Sequence, residues 1–505
     1  MIRMRFLSWL LLTVLTAAYI TGPLEDPDLW WHLTVGRWIL AHGEVPVVDL
    51  WNQYGIGKPW RAYSWSNEVV LAFTELTWGP WGLLTLKLLL AVGISVSFAA
   101  VYSVIARDGF IGVMLGVFTA TACFNHFTLR PQSFVWILFA LLLLLLDQIA
   151  QQGVNARRLL GVAAVMCLWA NTQITTIIGL VAVVVWFGSL RLYRELLIVG
   201  SVAVLGTLLT PYGGGEWLTF ASKTSHPLML RAIAEFQPAT IMQFSTGFLV
   251  LITFLLLLCA HLAPTLIPVG LLVGGGGFLL AALAVVKFHP FAMIYLGALM
   301  AYLWRARAGS PMVLGNLGEG ITKLRALVLW LPKEGTTFLL LVLVILQIKP
   351  LYDLSTPIRE SVVPVAAVNF IQDRKLPLPL LHDFGRGGYV MYRFADRQGT
   401  PSYLVPIDGR TNVTPPEVWK KYLQADLGER SWKEYFDLVK PETVLWRRDS
   451  PLLAILTATN DWCQVFETVD ANEMGYVVFL KRERLEQRPT EFSSPNCPAQ
   501  ILGGT

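Results

Sequence analysis

Stretch after stretch of the first 350 residues is apolar for the length of a membrane crossing, and no other feature constrains the fold as much. A backbone in lipid has to satisfy its own hydrogen bonds, so each stretch is read as a helix of about 20 residues. Eleven are recognised, near 5–22, 80–105, 109–128, 132–150, 158–171, 174–190, 195–211, 246–263, 265–287, 290–304 and 326–349. Only 14% of the 505 residues are charged, against roughly a quarter in soluble domains, and the mean hydropathy is +0.56. About half of the charged residues lie beyond position 350, which divides the chain into a membrane region, 1–350, and a water-soluble region, 351–505. Arg3 and Arg5 precede the first apolar run as in a signal peptide, but Tyr19-Ile20-Thr21-Gly22-Pro23 offers no small-x-small cleavage site, so the run reads as a retained anchor.

Lys and Arg collect in cytoplasmic loops. Arg3/Arg5, Arg107, Arg157/Arg158, Arg191/Arg194 and Arg305/Arg307 with Lys323/Arg325 all fall on one side of eleven spans. The N-terminus is then cytoplasmic and the tail extracytoplasmic, periplasmic if the cell is Gram-negative. The first external loop, 23–79, reads as structured: Asp28 to His42 has helical spacing with Trp31, Val35, Trp38 and Ile39 on one side, and with the apolar 69–76 segment suggests helices lying in the interface. Trp30, Trp31, Trp60, Trp65, Trp78 and Trp81 read as an interfacial aromatic belt. In the tail, helices are expected at Val362–Arg374, Pro416–Asp426, Trp432–Val439 and Pro451–Thr459. Strands are expected at Leu378–His382, Tyr389–Arg393, Ser402–Ile407, Thr443–Trp446 and Gly475–Leu480, an α/β domain. Cys463 and Cys497 would pair if the tail faces an oxidising compartment.

Nearly all unusual polar residues fall on the external side, which predicts a cavity opening outward at the membrane surface. Asp26 and Asp28 follow the first span. Two carboxylates at that spacing can share a Mg²⁺ or Mn²⁺ ion, or one can serve as a general base; the competing role is the N-cap of the helix that follows. Arg130 stands where a span meets the surface, placed either to grip a lipid phosphate or to snorkel, and Lys287 and His289 pose the same choice. His32, Asp49, Glu68, Asn171, Tyr212 and Glu235 are expected to line the cavity, although Asn171 can equally act as interhelical glue and Glu235 can simply be solvated. The net charge of +5 is spread thinly, with no basic run of the kind that binds a nucleic-acid backbone. No nucleotide fingerprint, nucleophile elbow or CxxC pair is present.

The order of these residues resembles the GT-C superfamily of polytopic glycosyltransferases, and within it a group of bacterial membrane proteins. The resemblance rests on Glu25-Asp26-Pro27-Asp28-Leu29-Trp30-Trp31-His32-Leu33, Trp65 with Glu68, Arg130-Pro131-Gln132, Trp169-Ala170-Asn171 and Pro211-Tyr212-Gly213. It continues through Glu235-Phe236-Gln237-Pro238, Gly387-Gly388-Tyr389 and Ile407-Asp408-Gly409-Arg410. It implies about eleven transmembrane helices with an extracytoplasmic α/β tail, in a bacterial inner membrane. It also implies transfer of a sugar from a polyprenyl-phosphate donor, itself a membrane lipid, to an extracytoplasmic acceptor. Asp28, or Asp26, would be the base or bind the metal, and Arg130, Lys287 and His289 would hold the donor phosphate. The Thr172-Gln173-Ile174-Thr175 sequence stands where the related group commonly has His-Gly-Gly, so contacts made there do not carry over. The alternative is a non-enzymatic lipid or polysaccharide transporter, or an envelope assembly factor. Transporters favour polar, broken helices at the bilayer midplane, whereas the polar residues here sit at outer helix ends.

Overall fold

The computed structural model describes residues 16–17, 21–224, 233–240, 242–262, 267–306, 356–469, 475–487 and 497. The described parts group into two compact units. One is built chiefly of Trp81–Ala221 and the helices after Ile233, the other of Leu24–Pro80 and the segment from Ile358. The expected spans 5–22 and 326–349, and the Lys323/Arg325 loop, lie outside the described residues.

The first unit is helical. Helix α2, Trp65–Ala106, enters it after a break at Gly79, whose φ of 65° is a left-handed conformation followed at once by Pro80. Then come α3 (Gly109–Ala122), α4 (Pro131–Gln152), α5 (Ala156–Thr172), α6 (Thr176–Ser189), α7 (Tyr193–Thr207), α8 (Gly215–Thr224), α9 (Phe244–Leu262), α10 (Val269–Ala284) and α11 (His289–Ala306). Every expected span within the described residues coincides with a helix. Three are long and apolar enough to cross a membrane: α2, α4 and the Val286–Ala306 stretch. α3, α6 and α10 are as apolar but shorter, each ending in a turn rather than running the full length. Exposed apolar side chains line the outside of this unit: Leu160 of α5, Leu197 and Leu205 of α7, Phe254 and Leu257 of α9, and Val273 and Leu280 of α10 are each more than half exposed. Helices apolar inside and out are suited to lipid, and the chain is a membrane protein. The glycine run of α10 serves close packing: a Cβ on Gly270 or Gly274 would collide with Ser189 or Val185 of α6.

The second unit combines the first loop with the tail. It contains α1 (Leu29–His42), the start of α2, α12 (Val365–Asp373), β1 (Leu380–His382), α13 (Phe384–Arg393), α14 (Pro416–Asp426), α15 (Lys433–Val439), β2 (Thr443–Arg447), α16 (Pro451–Ala458), β3 (Trp462–Val469), β4 (Gly475–Lys481) and α17 (Arg482–Glu486). The sheet runs β1-β2-β4-β3, with β1 and β2 parallel and the other pairs antiparallel. Val444, Trp446, Val477 and Phe479 fill its core with Trp419, Tyr422 and Tyr435 from the helices. Cys463 and Cys497 form a disulfide.

Four sequence expectations are corrected here. Tyr389–Arg393 is the end of helix α13, not a strand: Gly387 and Gly388 let that helix press so close that a Cβ on them would lie 2.1 Å from the Ile407 carbonyl and 2.7 Å from that of Pro27. Ser402–Ile407 is not a strand but an irregular segment whose Val405 bonds to Trp51 and Gln53. Trp462–Val469, not anticipated, is a strand on β4. Finally, the apolar side of α1 faces protein rather than lipid: Leu29, Trp30, Trp31, Leu33 and Val35 are all at most 2% exposed, and α13 packs on it. Trp30, Trp31 and Trp60 are therefore core residues, whereas Trp78 and Trp81 remain exposed with Val70, Phe73 and Leu76.

Candidate functional site

In the helical unit, three short turns bring together charges far apart in sequence. Pro131 occupies the first position of α4, which forces Arg130 into an extended conformation and turns its side chain away from the helix. Lys287 sits in the turn Val286–Phe288 between α10 and α11, and Glu235 in the turn Ala234–Phe236. The last two turns are tied by the Val286 amide donating to the Gln237 carbonyl at 3.1 Å. Glu235 bridges both cations: Oε1 accepts from Arg130 Nη1, and Oε2 accepts from Lys287 Nζ at 2.9 Å. Lys287 also lies 5.2 Å from the Phe236 ring centre. Burial alone would raise the Glu235 carboxyl's pKa, but Arg130 and then Lys287 overcome it and hold the group well below the usual carboxylate range.

Beside this bridge, His126 Nε2 lies 3.1 Å from Ser245 Oγ, which lies 3.1 Å from His289 Nδ1, and the two rings approach to 3.3 Å. His126, Gln173, Glu235, Lys287, Phe288 and Phe291 line a cavity of about 90 Å³. An apolar groove of about 650 Å³ runs between α6 and α10, walled by residues such as Ile178, Val181, Val185 and Val273. Phe288 and Phe291 line both spaces, so the groove and the charged cavity adjoin at these two rings.

The structure thus unites Arg130, Lys287, His289 and Glu235. Asn171 donates to the carbonyls of Cys167 and Leu209, both at 2.8 Å, which is the glue role. Tyr212 belongs to the turn after α7, where its carbonyl accepts from the Gly215 amide. His126 and Ser245 were not singled out as site residues. His126 was visible only as one polar residue among many at outer helix ends, and Ser245 carries no signal, being a lone hydroxyl opening an apolar helix.

The carboxylates of the second unit behave differently. Asp26 Oδ1 accepts from the Asp28 amide at 2.8 Å. Asp28 occupies the N-cap position of α1 yet makes no side-chain capping bond. Instead its carboxylate abuts Gly409, where a Cβ would lie 2.1 Å from Oδ1. His32 Nδ1 meets Glu68 Oε1 at 3.0 Å, both interior. Asp49 is interior too, paired with Arg410, which also forks onto Asp408 with two 2.8 Å bonds. Asn52 donates to Asp408, and the Trp51 and Trp60 rings lie 5.3 and 4.9 Å from the guanidinium carbon. A hard divalent cation gathers six or more oxygens, but no group of three His, Cys, Asp or Glu side chains able to hold one is present among the described residues. Asp26 and Asp28 by themselves do not make such a cage; a Mg²⁺ or Mn²⁺ ion there would need water and phosphate oxygens to complete its shell.

No family model matches the chain, and no curated protein does. Solved structures match its fold. The apo oligosaccharyltransferase of Archaeoglobus fulgidus aligns with 93% of this chain and 74% of its own, at TM-score 0.51 and 10% identity. ArnT from Cupriavidus metallidurans, at 14% identity, matches bound to undecaprenyl phosphate (TM-score 0.44, 93% of this chain and 96% of that one) and in the apo state (0.45, 92% and 95%). The fold is therefore GT-C-like, as the sequence pattern implied.

Proposed function

We propose that this protein is an inverting membrane glycosyltransferase, which moves a sugar from a polyprenyl-phosphate donor to an extracytoplasmic acceptor. The observation that carries the reading is the adjoining pair of spaces: an apolar groove suited to an isoprenoid chain shares Phe288 and Phe291 with a small cavity carrying a lysine. A lipid with a phosphate head demands that combination, and the charged end needs no nucleotide site. The disulfide of the tail supports an oxidising, extracytoplasmic location for it.

In the reaction, an acceptor oxygen forms a bond to the anomeric carbon while the bond from that carbon to the phosphate oxygen breaks. Asp28 takes the acceptor proton, with Asp26 bracing its backbone, and the polyprenyl phosphate leaves with the electron pair. Lys287, with Arg130 behind Glu235, stabilises the charge on the departing phosphate.

Native mass spectrometry of the detergent-purified protein tests the lipid half. Wild type should carry a polyprenyl phosphate, with or without a sugar, and Lys287→Met and Arg130→Ala should lose it. Bulk phospholipid alone in all three would defeat the reading. For the chemical half, Asp28→Asn should abolish transfer from lipid-linked sugars while retaining the bound lipid. Full transfer by both Asp26→Asn and Asp28→Asn would remove these carboxylates from the mechanism.

A further inference from the structure

Arg130 and Lys287 would offer two positive charges to a phosphate group, but a single carboxylate already occupies both. Glu235 spends one oxygen on each cation. The bridge is not sealed: Glu235 and Lys287 side chains are 33% and 25% exposed and line the cavity, whereas Arg130 is 13% exposed and does not. Among the described residues, the other titratable groups at the cluster are His126 and His289, and an ordinary imidazole is uncharged at about pH 8. Of these described groups, two cations less one carboxylate leave one net positive charge.

We propose that Glu235 sets the charge class of the donor: by cancelling one of two cations, it makes the site selective for a sugar joined to lipid through one phosphate over one joined through a diphosphate. The inference rests on the lipid-phosphate reading of the cavity and deepens it. A phosphodiester is a monoanion and neutralises the site. A diphosphate diester carries a second negative charge that must lie near the Glu235 carboxylate. In a cavity of about 90 Å³ that repulsion is only partly screened, and a discrimination of about ten-fold or more is expected.

The test uses the full-length protein in detergent at about pH 8, where imidazoles are uncharged, with polyprenyl methyl phosphate and polyprenyl methyl diphosphate of equal chain length as probes. These diesters differ by one fixed charge and share the same tail. Wild type should bind the monophosphate about ten-fold tighter. Glu235→Gln should erase or invert the preference, Glu235→Asp should keep it, and Glu235→Gln combined with Arg130→Gln should restore it, because the net charge returns to one. The double variant also removes Glu235 together with its largely buried partner Arg130, so it serves where the single variant fails to fold. A merely structural Glu235 would not be rescued by losing its partner. A wild type that binds the diphosphate as tightly as the monophosphate overturns the proposal whatever the variants do. So does an unchanged ratio in Glu235→Gln or, where that variant does not fold, loss of the preference in the double variant. If wild type binds neither probe, it is the lipid-phosphate reading that fails.

Discussion

Arg410 is the most completely buried cation among the described residues of the tail, and removing its charge should be the most destabilising single change there. It is 1% exposed. Its Nε and Nη2 fork onto Asp408 at 2.8 Å each, and its Nη1 donates to Asp49. Burial alone would lower the guanidinium's pKa, but Asp408 and Asp49 raise it further than burial lowers it, so it stays charged. In Arg410→Met the two interior carboxylates lose their common counter-ion. Breaking a buried pair by removing one partner costs about 3–5 kcal/mol, and here two acids are orphaned at once, so about 5 kcal/mol is expected. Asp49→Asn leaves the Asp408 fork intact and loses one charge-assisted bond, worth about 2 kcal/mol.

The order Arg410→Met, then Arg410→Lys, then Asp49→Asn is therefore the sharp expectation. Lysine retains the charge but cannot reproduce the fork, which places it between the two. Trp51 and Trp60 flank the guanidinium, so tryptophan fluorescence during thermal unfolding of the detergent-solubilised protein reports the site directly. At about 2–4 °C per kcal/mol, Arg410→Met should melt about 10–20 °C early. A shift of Arg410→Met no larger than that of Asp49→Asn would refute the account, because it would mean the carboxylates do not need the cation.

Gly409→Ala puts a methyl 2.1 Å from where Asp28 Oδ1 now lies. The Asp28 side chain can rotate aside at about 1 kcal/mol, so melting should barely change, but a misplaced base should cost transfer about a hundred-fold; wild-type turnover would take Asp28 out of the reaction. Glu235 and Asp408 are both held below the ordinary carboxylate range, so their contribution is present above about pH 4 and is lost at more acidic values, which a melting-versus-pH curve should show. The disulfide closes a loop with sequence separation 34, and Cys463→Ser with Cys497→Ser should cost about 3–4 kcal/mol in the same melting assay.

What the sequence disclosed follows from the range over which each signal acts. Membrane helices announce themselves locally, because apolar residues must fill each stretch from end to end, and their positions agree with the helices observed. The tail's helices and its β1, β2 and β4 strands were legible for similar reasons. Gly387-Gly388-Tyr389-Val390-Met391-Tyr392 misled because β-branched and aromatic residues suggest a strand, whereas the glycines answer to contacts with Ile407 and Pro27 that no local window contains. The fusion of the first loop with the tail was equally hidden, since Asp49 and Arg410 are 361 positions apart. Arg130, Lys287 and Glu235 stood out singly as charges at helix ends. Their sharing of one carboxylate depends on separations of 105 and 52 residues, which a sequence without its fold does not reveal.

The two charge clusters show why the same residue types earn different readings. Around Arg410 every donor of the fork has an acceptor, the group is 1% exposed, and two indoles close over it. Nothing there can admit a ligand without dismantling the core, so its role is to hold the loop and, through the adjacent Gly409, to fix Asp28. Around Glu235 the charges are just as tightly paired, but the cluster opens on a cavity that adjoins an apolar groove at Phe288 and Phe291, and its lysine is a quarter exposed. An ion pair beside open space can exchange its partner for a ligand at little cost, because the incoming anion replaces the one released. Satisfied pairing thus separates neither cluster from the other. Access does, and that is why the lipid phosphate is assigned to Lys287 while Arg410, the more strongly held cation, is assigned to the fold.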